Sequence, residues 1–241
     1  GLLEGLSYNI NRKNNNLKMF EFGKTYHKYE SGYVEDKHLS IVFTGKRTGD
    51  HWAQANKVSD IFYLKGMVKS LLERLGLTGL KYARTKNDIF SEGISLQLGK
   101  IKIVEFGVVK NTVLKQFGIK QEVLFADFNW NNVIAHVGKK KIKILELPKY
   151  PEVKRDLALL LDEKVDFIDL HNYAFQSERK LLKNVDLFDV YTGDKLPEGK
   201  KSYALSFILQ DENKTLTDKQ IDKIMTKLQE GFKKQFEAEL R

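Results

Sequence analysis

The chain has 241 residues, room for one or two domains at roughly 100–200 residues each, and its 41% hydrophobic and 30% charged residues exclude disorder. No apolar run reaches the ~18–20 residues of a membrane span, and the absence of cysteine excludes disulfides and thiolate metal sites and fits a cytoplasmic protein. The net charge of +9 favours polyanionic partners, yet it resides in residues 1–147, with 24 Lys and Arg against 14 Asp and Glu, whereas residues 148–241 hold 17 against 18.

Gly1-Leu2-Leu3-Glu4-Gly5-Leu6 lacks the basic start and cleavage site of a signal peptide and reads like the middle of a helix. That implies a piece of a longer protein. Leu17 to Gly23 and Leu39 to Phe43 are rich in β-branched and aromatic residues and predict strands. Gly45-Lys46-Arg47-Thr48-Gly49 is a basic turn without the form of a phosphate loop. From Ser59, an expected N-cap, to Gly76, an expected C′ residue, Ile61, Leu64, Val68, Leu71, Leu72 and Leu75 share one helical face. Ile94 to Leu98 and Ile101 to Phe106, joined at Gly99-Lys100, predict a hairpin. Val123 to Phe128 predicts another strand. The lysine run from Lys139 to Lys143, followed by Leu147-Pro148, marks the expected connection between domains 1–147 and 148–241.

The second part predicts β-α-β-β-α-β, the ferredoxin-like order. Leu157, Leu159 and Leu161 alternate on its first strand, and a helix runs from Asp166 to about Leu181. Strands follow over Val185–Tyr191 and Ser202–Gln210. Thr217-Asp218-Lys219-Gln220 is a capping box ahead of the apolar stripe Ile221, Ile224, Leu228 and Phe232, and Glu237 to Arg241 closes the sheet as an edge strand. Strand parity then sends Leu157, Leu159, Leu161, Phe188, Val190, Leu205, Phe207 and Leu209 toward the helices. Ala158, Leu160, Leu187, Asp189, Tyr191, Ala204, Ser206 and Ile208 are expected on the open face.

Six segments carry a resemblance: Ser7 to Lys13, Leu17 to Lys24, Asp60 to Gly66, Tyr150-Pro151-Glu152-Val153-Lys154-Arg155-Asp156, Leu187-Phe188-Asp189-Val190-Tyr191-Thr192-Gly193, and Lys200-Lys201-Ser202-Tyr203-Ala204-Leu205. In this order the chain resembles the C-terminal part of the bacterial phenylalanyl-tRNA synthetase β subunit. The resemblance implies an α+β protein: a degenerate class II synthetase-like antiparallel core over 1–147, then a ferredoxin-like anticodon-binding domain over 148–241. The family's histidine-proline-glycine-arginine segment is not evident around Ser91 to Ile94. A class II site grips ATP phosphates with two arginines. Here Met19 stands where the first belongs, two residues before Glu21, and no arginine occurs between Arg84 and Arg155.

The resemblance therefore implies no catalytic or metal residue in this chain, with ATP and Mg²⁺ serving the assembled α2β2 ligase through its α subunit. tRNA(Phe) and that subunit are the implied partners, and no membrane is. Tyr191 is expected as a platform for an unstacked base, and Arg241, Arg155, Lys154, Lys200 and Lys201 as contacts to base edges or phosphates. Each has a plainer alternative. Tyr191 ahead of Thr192-Gly193 serves equally as a cap on the sheet, Arg155-Asp156 as an internal ion pair, and the lysines as solvated charge. Lys201 to Phe207 also partly matches the third-strand motif of an RNA-recognition motif, but Leu205 holds an aromatic position and the first strand offers no ring. A small-molecule-sensing or dimer-forming ferredoxin-like module is the reading from a different class. The five histidines, His27, His38, His51, His136 and His171, lack metal-motif spacing.

Overall fold

The computed structural model describes residues 1–49, 51–53, 55–85, 87–137 and 147–241. Its contacts divide the chain into two units, Gly1–Lys143 and Ile144–Arg241. The lysine run expected to connect them lies outside the described residues.

In the first unit, helix α1 (Leu2–Ile10) precedes strands β1 (Leu17–Tyr29) and β2 (Gly32–Thr44). Helix α2 (Ile61–Arg74) follows, then β3 (Lys81–Arg84), β4 (Phe90–Leu98), β5 (Ile101–Val109), α3 (Asn111–Gln116), β6 (Val123–Asn129) and α4 (Trp130–His136). The strands form one antiparallel sheet in the order β1-β2-β6-β5-β4-β3. Leu64, Val68 and Leu72 of α2 are buried against Leu39, Phe43, Val104 and Phe128 on one face. Leu6 of α1 and Leu114 of α3 meet Val42 and Val109 on the other.

The expected helix starts one residue late. Asp60, not Ser59, is its N-cap: a carboxylate oxygen accepts the Tyr63 N–H at 2.8 Å, and the same carboxylate pairs with Arg47. Gly76 closes the helix at φ +75, as expected. β1 and β2 run well past their expected ends. From Gly23 to Lys37 they pair residue for residue, yet the hairpin arm is exposed. No buried face imposes an apolar alternation there, so the pattern that announces a strand is missing. The short helices α3 and α4 and the four-residue β3 were equally invisible to periodicity.

The second unit runs β7 (Val153–Asp162), α5 (Phe167–Ser177), β8 (Leu182–Tyr191), β9 (Lys200–Leu209), α6 (Asp218–Phe236) and β10 (Glu239–Leu240). Its antiparallel sheet has the order β10-β7-β9-β8, the ferredoxin-like arrangement expected. α5 stops short of Leu181 because the Glu178 carboxylate accepts the N–H groups of Lys180 and Leu181 at 3.0 and 3.1 Å, turning the chain into β8. Gln220 Oε1 accepts the Thr217 N–H at 3.2 Å at the start of α6. Glu237, at φ +52, ends that helix and leaves only a short β10. Leu157, Leu159, Leu161, Leu205, Phe207 and Leu209 pack against Leu170 and Ala174 of α5 and Ile221, Leu228 and Phe232 of α6.

His171, the single histidine of residues 147–241, lies beside Phe167 and Phe175 with ring centroids 5.8 and 4.8 Å away. Burial lowers its pKa, against weaker opposing effects of Asn172 and Asp186. The folded unit thus binds fewer protons here than the unfolded chain. Its stabilising share is complete above the ordinary histidine value of about 6.5 and is lost as pH falls toward the lower folded value. The unfolding midpoint of the second unit should therefore drop between pH 7.5 and 5.5, and the drop should shrink in His171→Leu. An equal drop in both proteins counts against this assignment.

Candidate nucleic-acid interface

Both helices of the second unit cover the face that holds Leu157, Leu159 and Leu161. The opposite face is set by register. Directly paired residues of an antiparallel sheet share a side, so Ala158, Ala204 and Asp189 form one row, and Leu160, Ser202 and Tyr191 the next. Asp156, Ser206 and Asp186 form a third. The Arg241 N–H donates to the Ala158 carbonyl at 3.1 Å, which continues β10 alongside the first row.

Tyr191 and Arg241 start from opposite edges of the sheet and meet above it. The Arg241 guanidinium carbon lies 5.4 Å from the centre of the Tyr191 ring. Ala158 and Ala204, on the two strands between, are small enough to leave that space open. Gly193 also matters: a Cβ built there would approach the Tyr191 hydroxyl oxygen to 2.8 Å. The Tyr191-Thr192-Gly193 turn therefore lets the ring lie where it does.

The other expected contacts separate. Lys154 lies on the open face, its ammonium 4.0 Å from the Asp156 carboxylate. Lys200 has the same parity as Ser202 and Ala204 and opens β9 as the strand partner of Asp162. Arg155 does not join them. Its parity is that of Leu157, and it reaches Asp218 at the start of α6, 3.6 Å away, where a carboxylate also suits the helix dipole. The alternative of an Arg155–Asp156 ion pair is replaced by this one, since neighbours on a strand face opposite ways. Lys201 does not join them either. It is buried beside Tyr203, its ammonium 4.6 Å from that ring and donating to the Glu163 carbonyl at 2.8 Å.

Phe188 lies on the side opposite to the one its parity predicts. The register of β8 slips between Leu187 and Asp189. Leu187 pairs with Leu205 and packs into the core, although parity counted back from Tyr191 puts it on the open side. Phe188 is the extra residue of this bulge. It is 57% exposed instead of facing the helices, and the Lys154 ammonium lies 5.7 Å from its ring centre. Val190 keeps its parity, paired with Tyr203, but is also exposed at the end of the edge strand. The apolar doublet Leu187-Phe188 is the one trace of the bulge in the sequence.

The first unit carries a different polar arrangement. Glu21, Ser40, Asp127, Glu105 and Ser95 are successive partners across five strands and so lie in one row on one face. Asp127 accepts from Ser40 at 3.1 Å and lies 3.0 Å from His38 Nδ1. Burial opposes ionisation of Glu105, but hydrogen bonds from Thr85, Lys102 and Asn87 outweigh it and hold its pKa below the usual value. Met19, two residues along β1 from Glu21 and on the same face, turns toward α1, where its methyl lies 3.2 Å from a Cβ built on Gly5. Among the described residues no cluster of His, Cys, Asp and Glu is arranged to hold a metal ion, and no helix is long and apolar enough to cross a membrane.

Residues 1–130 match the family described as the phenylalanyl tRNA synthetase beta chain CLM domain, and residues 148–241 match the ferredoxin-fold anticodon binding domain. The phenylalanine–tRNA ligase beta subunit of Bacteroides fragilis is 44% identical over 100% of this chain and 31% of its own length. Those of Porphyromonas gingivalis and Fusobacterium nucleatum are 40% and 35% identical with the same coverage. The chain thus spans about a third of the length of the curated relatives it matches. Among solved structures, the pyrrolysyl-tRNA synthetase of Desulfitobacterium hafniense overlaps 55% of this chain and 46% of its own at a TM-score of 0.43 and 13% identity, too distant a likeness to bear on function.

Proposed function

The chain belongs to the phenylalanyl-tRNA synthetase β-chain family, and from that premise we propose that it is a non-catalytic part of phenylalanine–tRNA ligase. The second unit binds the anticodon region of tRNA(Phe), and the first scaffolds the catalytic α subunit within an α2β2 assembly. The observation that carries the reading is the meeting of Tyr191 and Arg241 over two alanines on a helix-free sheet face.

In the free protein the guanidinium sits against the ring that a base would stack on. An exposed cation–π contact is worth about 0.5–1 kcal/mol, and a stacked base about 1–3 kcal/mol. The base wins, and the released guanidinium is left beside it as a donor to its edge or phosphate. Asp156, Asp186 and Asp189 on the same face repel phosphates from the middle of the sheet. Phosphates then run along the rim near Lys154, Lys200 and Arg241, while carboxylates accept hydrogen bonds from exocyclic amino groups of bases. Arg155 and Lys201 are held in the fold and have no part in this.

In the first unit, the row of Glu21, Asp127 and Glu105 does not fit a triphosphate, which needs positive charge at that face. ATP and Mg²⁺ accordingly act on the α subunit. The edge strand β1 presents Phe20 and Phe22, 69% and 58% exposed, beside backbone groups that no other described strand pairs. A long aromatic edge of this kind suits burial by a partner, and the α subunit is the one proposed. Its place in translation puts the protein in the cytoplasm.

The chain alone is expected to retain tRNA(Phe) on filters with affinity that falls as salt rises, to co-elute with the α subunit, and to show no phenylalanine-dependent ATP–pyrophosphate exchange. Exchange by the isolated chain overturns the scaffold role, and failure to retain tRNA overturns the anticodon role.

A further inference from the structure

We infer that Phe188, with Lys154 at its edge, is a second stacking site on the open sheet face, taking the nucleotide next to the one on Tyr191. This rests on the anticodon-binding reading and adds a site to it. Three observations carry it.

The first is the bulge. A residue inserted opposite a single partner re-aims its side chain, and here it takes a phenylalanine out of the core and leaves it 57% exposed. A large ring in that position adds little to folding. The second is the cation beside it. The Lys154 ammonium lies 5.7 Å from the ring centre and 4.0 Å from Asp156, the outer limit of an ion pair. It is not locked in place and can swing to a phosphate when a base covers the ring.

The third is Ser206. It sits on β9 between Asp156 and Asp186, on the side without helices, yet it is only 3% exposed and its hydroxyl has no hydrogen-bond partner. Phe188 from β8 and Lys154 from β7 approach each other across β9, the strand that carries Ser206, while Asp156 and Asp186 stay exposed. A buried hydroxyl without a partner is unusual. With the lysine turned to a phosphate, a base laid on Phe188 can bring its edge to that hydroxyl. Phe188 and Tyr191 lie three residues apart along the edge strand, roughly 7–10 Å at strand rise. That exceeds the ~3.4 Å of a nucleic-acid stack and suits bases splayed apart, as in single-stranded RNA recognition.

The test uses the 241-residue chain and the anticodon stem-loop RNA of tRNA(Phe). Phe188→Ala is expected to bind about tenfold more weakly with an unchanged unfolding midpoint, and Phe188→Tyr to restore affinity. If the alanine variant is less stable, Phe188→Leu decides, because it keeps apolar bulk without a stacking face and should still lose affinity. Phe188→Trp should be quenched on RNA binding, measured against the parent protein's Trp52 and Trp130. Affinity within twofold of the parent for Phe188→Ala, alongside a large loss for Tyr191→Ala, overturns the second site and leaves the anticodon reading standing. No loss in either variant overturns both.

Discussion

Phe232→Ala is expected to cost the second unit about 3–5 kcal/mol, the usual range for a buried phenylalanine. For a domain of this size that is a drop of roughly 15–30 °C in unfolding midpoint. The ring has no exposure, and its neighbours are Tyr173, Phe207 and Phe236 at centroid distances of 5.6, 6.2 and 6.4 Å. Phe207 belongs to the sheet and cannot follow the missing ring. On the other side Tyr173 is already pressed against α6, where Gly231 makes room for it: a Cβ there would fall 1.8 Å from the tyrosine hydroxyl. With a rigid sheet on one side and close-packed helices on the other, the cavity stays open, which places the cost at the upper end. Calorimetry checks this. A midpoint shift under about 5 °C would mean that the aromatic cluster does not anchor the two helices to the sheet.

Tyr191→Ala should leave that midpoint unchanged and weaken tRNA(Phe) binding about tenfold to a hundredfold, the worth of one stacked base. Arg241→Ala behaves differently. It removes a contact to RNA but also removes the guanidinium that competes for the ring, so its loss is smaller than a charged contact alone would give. The clearer signature of Arg241→Ala is a salt dependence of binding shallower by about one unit. In the double variant the two losses should not add, because each residue's free-state partner is the other. Strict additivity in filter binding, or a Tyr191→Ala variant that binds as well as the parent, would show that the contact above the alanines belongs to the free protein only.

Much of the second unit was readable along the chain because both its helices and three of its strands bury one face. Leu157, Leu159 and Leu161 alternate, Ile221, Leu228 and Phe232 recur at helical spacing, and Thr217 and Gln220 mark where a helix begins. The arm of the β1–β2 hairpin left no such record, since it is exposed and its cross-strand contacts, such as Lys24 with Glu35, are polar and set no apolar alternation. Three of the expected RNA contacts, Lys154, Lys200 and Tyr191, fell on the open face by parity, and Arg241 joined them through the β10 pairing.

Composition, strand parity and the order of motifs determined the two-part layout of the chain, the ferredoxin-like succession of elements and the side of the sheet on which Tyr191 stands. These are local properties, carried by residues a few positions apart. Tertiary structure alone decided that Arg241 crosses the sheet to Tyr191, that Arg155 turns back to Asp218, that Lys201 is spent on a carbonyl, and that a bulge brings Phe188 to the surface. Each depends on which strand lies beside which and where the register slips, and alternation along a single strand holds no information about its neighbours.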